Sequence, residues 1–263
     1  MDDALFSLEG KTALVTGGVH GLGLLCSQAL LDGGATVIAT TRRADAVDEA
    51  QARLSARGPC RVLVADLSTA EGPAALAGAV GDSSDRLDIL VNNAGVTWGA
   101  PLSEYPPAAW TRVLTLNVAV PFLMLQATLG LLRAGSKRDP PARIVNIGSI
   151  DGHAVGPFDN WAYPPSKAAL HQLTRGLAAR LGPMGVTVNA LAPGPVATKM
   201  TEALLRDAEA AIVAATPLGR IADARDIAGA LRFLTSRAGA FVTGAVLPLD
   251  GGASLARWGP EAA

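Results

Sequence analysis

The chain is short of cysteine and short of charge. Two cysteines occur in 263 residues, Cys26 and Cys60, each among apolar neighbours and neither at the spacing of a zinc or redox motif. Free, buried thiols in a reducing compartment are expected, and no metal site. Charged side chains make up 17% of the chain, and 22 basic against 23 acidic residues leave a net charge of -1. No overall field is present to hold a polyanion or an acidic membrane surface, so neither nucleic acid nor membrane is an expected partner. The first eleven residues carry Asp2, Asp3 and Glu9 and no long apolar run, which excludes an ordinary signal peptide and makes the cytoplasm the expected location.

What is abundant is apolar. At 49% hydrophobic side chains the length suffices for one substantial core, so a single domain spanning 1–263 is expected. One stretch, Val113 to Leu132, carries no formal charge over a bilayer-spanning length. Thr115, Asn117, Pro121, Gln126 and Gly130 interrupt it, which favours a helix buried on most of its circumference, against a sheet on one side and a second subunit on the other.

Short β-branched runs alternate with longer Ala- and Leu-rich stretches, the pattern of β-α units around a parallel sheet. The strand candidates are Thr12 to Thr16, Thr36 to Thr40, Arg61 to Ala65, Ile89 to Asn92, Arg143 to Ile147, Thr187 to Leu191 and Ala245 to Leu249. They read as continuous apolar runs, as strands covered on both faces do. The expected fold is α/β: a Rossmann-like, doubly wound sheet of seven parallel strands with helices on both faces. The polar, proline-rich stretch Arg133 to Ala142 reads as a solvated loop. Residues 193–217, which leave a strand and include a short helix at Thr201 to Ala215, read as a substrate lid.

The first β-α turn reads Thr16-Gly17-Gly18-Val19-His20-Gly21-Leu22-Gly23. Glycines here let the backbone approach a pyrophosphate at the positive end of the following helix, or mark only close strand–helix packing. Asp66 ends the third strand and Leu67 follows. A carboxylate there suits an adenine amino group and equally a local turn, beside the capping-box pattern Ser68-x-x-Glu71. Asn92-Asn93-Ala94-Gly95 closes the fourth strand with residues small enough for a ligand to lie against the backbone. Asn117, inside the uncharged helix, needs hydrogen-bond partners, and a satisfied core amide is one reading of it.

Ser149 follows the strand RIVNIG, and Tyr163 and Lys167 stand four positions apart, on one face of a helix. A phenol with a reference pKa of ~10 acts near neutrality only if its phenolate gains about 4 kcal/mol, which an adjacent ammonium helps supply. A serine hydroxyl beside it stabilises charge developing on a substrate oxygen.

Taken together, TGGVHGLG, Asp66, NNAG, Asn117, Ser149, the Tyr163-x-x-x-Lys167 pair and PGPVAT resemble the classical short-chain dehydrogenase/reductase family from Leu8 to Gly252. NNAGVTWGA, RIVNIGS and YPPSKAALHQL look most like the β-ketoacyl reductases of rhamnolipid and fatty-acid synthesis. The resemblance implies hydride exchange between a nicotinamide and a carbonyl or alcohol, catalysed by Ser149, Tyr163 and Lys167, with Asn117 holding a water in a proton relay. It implies a cofactor half of about residues 8–150 and a catalytic and substrate half of about 151–252. Cofactor contacts are implied at Gly17, Val19, His20, Gly21, Leu22, Gly23, Thr41, Arg42, Asp66, Leu67, Asn93, Ala94, Gly95, Tyr163, Lys167, Pro193, Gly194, Val196 and Thr198. Pro164-Pro165 departs from the pattern, since small residues are usual there. Proline is tolerated in a helix's first turn, so the helix is expected to begin close to Tyr163.

Thr41 stands where an NAD-specific member has an acidic residue, and Arg42 beside it suits a 2′-phosphate, so NADP(H) is favoured over NAD(H). The alternative is that Arg42 and Arg43 are only solvated charges. A homotetramer is expected from the family and from the uncharged helix. The substrate is expected to be a small carbonyl or alcohol, with Trp98, Asp151, His153, Phe158, Trp161 and Met200 around its pocket. An apolar wall suits an acyl chain, a steroid or an aryl ketone alike.

Overall fold

In the computed structural model, residues 3–137, 141–156, 158–197 and 202–255 are described. Seven strands form one parallel sheet: β1 (Thr12–Val15), β2 (Thr36–Thr41), β3 (Cys60–Val64), β4 (Ile89–Asn92), β5 (Ala142–Ile147), β6 (Val186–Pro193) and β7 (Val246–Leu249). Their order is β3-β2-β1-β4-β5-β6-β7. The order reverses between β1 and β4, where open α/β sheets place their ligands. All seven expected strands form. Every residue of the central β5 and β6 is buried, whereas the edge strands β3 and β7 are partly exposed.

The helices are α1 (Gly21–Asp32), α2 (Val47–Ser55), α3 (Gly72–Gly81), α4 (Pro107–Leu114), α5 (Val120–Gly135), α6 (Tyr163–Leu181), α7 (Glu202–Ala215) and α8 (Ala224–Thr235). Leu30, Leu54 and Leu231 bring α1, α2 and α8 onto one face of the sheet. Leu76, Met124 and Leu181 bring α3, α5 and α6 onto the other. The entry to α8 is fixed by a capping box: the Asp223 carboxylate accepts from the amides of Arg225 and Asp226, and the Asp226 carboxylate accepts from the amide of Asp223.

Two expectations need correction. The stretch expected as a loop from Arg133 to Ala142 begins as helix, because α5 continues to Gly135, whose missing side chain lets it press on the carbonyl of Leu87. The capping box at Ser68 and Glu71 does not form. Thr69 Oγ1 instead accepts from the Gly72 amide at 3.1 Å, and α3 starts at Gly72. The uncharged segment lies within the helical span Pro107–Gly135. Val120, Met124, Leu125 and Leu132 face the sheet, while Phe122, Gln126 and Gly130 face outward.

Candidate active site

The turn between β1 and α1 holds Gly17 at φ 63° and Gly21 at φ 53°, conformations that cost other residues a steric penalty. A side chain at Gly23 would collide with the Gly17 carbonyl. Asn93 ties this turn to the end of β4. Its Nδ2 donates to the carbonyls of Thr16 at 2.9 Å and Gly17 at 3.2 Å, and Thr16 Oγ1 accepts from the amides of Asn93 and Ala94 at 3.0 Å. The two motifs are thus one unit, lying along a cleft of about 550 Å³. Gly17, His20, Gly21, Leu22, Gly23, Asn93, Ala94 and Gly95 line it, as do Pro193, Gly194 and Val196 at the end of β6. Val19 does not; its side chain is in the core, and its carbonyl accepts from Arg53 at 2.6 Å.

At the end of β2, Thr41 is buried with its Oγ1 accepting from the Arg43 amide at 3.1 Å. The two arginines that follow differ. Arg43 is paired with Asp45. Arg42 lines the cleft and has no hydrogen-bond or ion-pair partner among the described residues. Asp66 and Leu67 line the same end, and Asp66 takes part in a local turn as well, accepting from the Ser68 amide at 2.9 Å and hydroxyl at 2.6 Å.

Ser149 leaves the end of β5, and α6 opens at Tyr163 with Pro164 and Pro165 in its first turn, where their missing amides cost nothing. Ser149, Tyr163 and Lys167 all line the cleft. Lys167 Nζ donates to the Ile147 carbonyl at 2.7 Å and lies 5.4 Å from the centre of the Tyr163 ring. Burial lowers the Lys167 pKa to about 8, against the pull of Asp151. Burial and the Asp151 carboxylate raise the Tyr163 phenol to about 12, and a hydrogen bond with Ser149 pulls the other way. The protein alone therefore keeps the phenol protonated at neutral pH, opposite to the lowering its chemistry suggests. The Lys167 ammonium is the positive charge the chain itself sets beside the ring to favour the phenolate.

Asn117 sits in a single π-helical turn, Thr115–Ala119, between α4 and α5. Its Oδ1 accepts from the Val96 amide at 2.9 Å, and its Nδ2 donates to the Val96 carbonyl and to Ser166 Oγ, each at 2.9 Å. Ser166 in turn donates to the Tyr163 carbonyl at 2.6 Å. The carboxamide thus fastens the segment after NNAG to the first turn of α6, and is spent in doing so.

Known proteins share this arrangement. The family described as enoyl-(acyl carrier protein) reductase matches residues 17–254. A rhamnolipids biosynthesis 3-oxoacyl-[acyl-carrier-protein] reductase of Pseudomonas aeruginosa is 45% identical over 252 residues, 95% of this chain and 98% of that protein. A gluconate 5-dehydrogenase of Gluconobacter oxydans is 36% identical over 95% of this chain and 97% of its own length. The solved RhlG/NADP active-site complex of Pseudomonas aeruginosa superposes with a TM-score of 0.92 at 45% identity, covering 95% of this chain and 99% of that one. The chain belongs to the short-chain dehydrogenase/reductase family. It is an enzyme of that oxidoreductase class, acting on CH–OH or C=O groups with NAD(P).

A dinucleotide fits this short-chain dehydrogenase/reductase on its own geometry. Gly17, Gly23 and Gly95 line the cleft with backbone, and their missing side chains let the turn, Asn93 and Asn117 pack together behind it, where at Gly95 an added Cβ would stand 2.9 Å from Asn117 Oδ1. The amino end of α1 points its free amides at the same space.

The substrate side departs furthest from expectation. Asp151 and Phe158 line the cleft, but Trp98, His153 and Trp161 do not. Trp98 borders a separate hollow with Arg112, Trp161 Nε1 donates to the Ala100 carbonyl at 3.1 Å, and the His153 ring stands 5.6 Å from that of buried His171. Thr198 and Met200 lie outside the described residues. Ile212 of α7, which sequence reasoning passed over, reaches into the cleft. An apolar residue on an amphipathic lid helix was the available signal. Thr97, Gly99, Asp159 and Asn160 also line it; they come from irregular loops, for which no periodicity exists to read.

Proposed function

We propose that this protein is an NADPH-dependent reductase of ketones bearing an apolar group, with β-ketoacyl thioesters as the substrate class. The observation that carries this reading is the Ser149, Tyr163 and Lys167 set on a cleft walled by Val96, Leu116, Ile150, Phe158 and Ile212. The 3-oxoacyl-[acyl-carrier-protein] reductase at 45% identity supports it. Thr41 and the unpaired Arg42 support NADP(H) over NAD(H), in line with the NADP complex of the similar solved structure.

In this reading bound NADPH supplies the hydride. Tyr163, protonated at rest, gives its phenolic proton to the substrate oxygen, and Ser149 donates a hydrogen bond to the same atom. Lys167, anchored on the Ile147 carbonyl, holds positive charge beside the phenolate left behind. Asn117 acts by holding Val96 against α6, and any place it has in a proton relay runs through its backbone. The sheet's two halves act as one cytoplasmic domain. We further propose a homotetramer built on the outward faces of α5 and α6, with Phe122 on one and Ala168, Ala169 and Gly176 on the other. Oxidation of a sugar acid or polyol is a second reading, favoured by the gluconate 5-dehydrogenase at 36% identity.

NADPH oxidation with β-ketoacyl thioesters of increasing length separates the two. Each buried methylene is worth about 0.8 kcal/mol, so kcat/KM should climb roughly tenfold or somewhat more per pair of carbons until the cleft is full. Tyr163→Phe should lose roughly three orders of magnitude in turnover while NADPH still binds. A flat series, or turnover of polyols alone, refutes the acyl reading.

A further inference from the structure

The two ends of the cleft differ in charge. At the end of β2 the lining carries Arg42 and His20, with Asp66 beside them. At the catalytic end the charged side chains among the described residues are Asp151, Asp159 and Lys167. Lys167 is buried, donates to the Ile147 carbonyl and offsets part of the charge of Asp151, so the two acids against one lysine leave this end net negative. Asp151 is different. It is hydrogen-bonded by Asn160 and reaches towards Gly156, where an added Cβ would meet Asp151 Oδ1 at 3.5 Å. Its amide donates to Ser149 Oγ at 3.2 Å, which sets it beside the catalytic serine, and its charge opposes formation of the Tyr163 phenolate. Burial favours its neutral acid, while Asn160 and Lys167 favour the carboxylate. An acidic group therefore stands beside the proton donor, with a second one, Asp159, exposed on the same cleft.

We propose that Asp151, aided by Asp159, makes the catalytic end selective for uncharged carbonyl compounds and excludes those carrying a free carboxylate beside the reacting carbon. This rests on the carbonyl-reductase reading and narrows it to capped acids, meaning esters, thioesters and amides. The reacting oxygen has to meet Tyr163 and Ser149. In a β-keto acid the carboxylate lies two bonds from the reacting carbon, so binding delivers one anion to another where little water is left to screen them. A thioester carries no such charge. A gluconate 5-dehydrogenase at 36% identity acts on a carboxylate too, but at C5, four bonds from the charge, so this exclusion does not reach it.

Acetoacetate and acetoacetamide are nearly isosteric and differ in this charge, as do gluconate and gluconamide. Reduction of the first pair and oxidation of the second are measured as kcat/KM for the wild type, Asp151→Asn, Asp159→Asn and Asp151→Glu. The neutral member of the acetoacetate pair should be preferred at least a hundredfold by the wild type, a ratio worth about 2.7 kcal/mol, and the gluconate pair should show a far smaller ratio. Asp151→Asn should cut the ratio tenfold or more through gain with the acid, Asp159→Asn should cut it less, and Asp151→Glu should keep it. The wild-type ratio decides even if a variant fails to fold. Equal use of acid and amide by the wild type overturns the charge selection and leaves the reductase reading standing, and so does a ratio unchanged in Asp151→Asn. Turnover confined to the gluconate pair overturns the β-ketoacyl reading and the selection that rests on it. Turnover of none of the four overturns the selection of uncharged amides and leaves the thioester series to decide the reductase reading.

Discussion

Asn117→Ala removes three hydrogen bonds at once. Ser166 keeps its bond to the Tyr163 carbonyl, but the amide and carbonyl of Val96, both at the partly buried floor of the cleft, lose their side-chain partner. An unsatisfied buried backbone group costs about 1–3 kcal/mol, and for two partly buried groups the total is about 3 kcal/mol. With an unfolding entropy of about 2.1 cal/mol/K per residue, a chain of 263 residues loses roughly 5–6 °C in Tm for that cost. Calorimetry checks the shift. Because Gly95 and Val96 line the cleft, the variant should also bind NADPH about tenfold more weakly by fluorescence titration. Ser166→Ala, which spares both Val96 bonds, should lower Tm by about 2 °C and leave NADPH binding close to wild type. An Asn117→Ala protein within 1 °C of wild type and binding NADPH normally would refute the clamp.

Two further outcomes are expected. Arg42→Asp should reduce the NADPH-over-NADH ratio of kcat/KM by about 10–100-fold, the worth of one charged hydrogen bond, whereas Arg43→Ala, whose guanidinium is already held by Asp45, should change it little; equal effects would remove Arg42 from the cofactor site. His171 is buried, its Nε2 has no partner among the described residues, and burial lowers its pKa from 6.5 to about 4. The unfolded chain therefore binds this proton first, so the associated stability is present above pH 6.5 and is lost as pH falls towards 4. Thermal melts at pH 7 and pH 5 should differ less in His171→Leu than in wild type, and an unchanged difference would assign the acid sensitivity elsewhere.

The sheet was legible because its strands are uninterrupted β-branched runs, and the Tyr163–Lys167 pair because four-residue spacing has one meaning on a helix. Even Pro164-Pro165 marked the start of α6 correctly, since proline's missing amide restricts where it sits. The errors fall where tertiary contacts decide. Gly135 looks like a loop residue, yet its bareness serves packing on Leu87. Ser68 and Glu71 have the capping pattern, but Thr69 takes the Gly72 amide. Trp98 and Trp161 looked like pocket walls by residue type, and residue type says nothing of the direction a loop gives its side chains. Asn117 was recognised as an amide needing partners; that these would be the Val96 backbone and Ser166 depends on a meeting of distant segments.

The π-helical turn at Thr115–Ala119 acts on everything after it. Such a turn counts one extra residue into a helix, and successive α-helical residues stand about 100° apart around the axis. That single count sets the rotational phase of α5, and with it the stripe of Val120, Met124, Leu125 and Leu132 on the sheet. Deleting one residue from the turn would leave the composition of the helix almost untouched, yet swing this stripe more than a quarter of a turn away from the sheet. Substitutions along α5 test its chemistry one side chain at a time; a deletion here misaligns the entire thread.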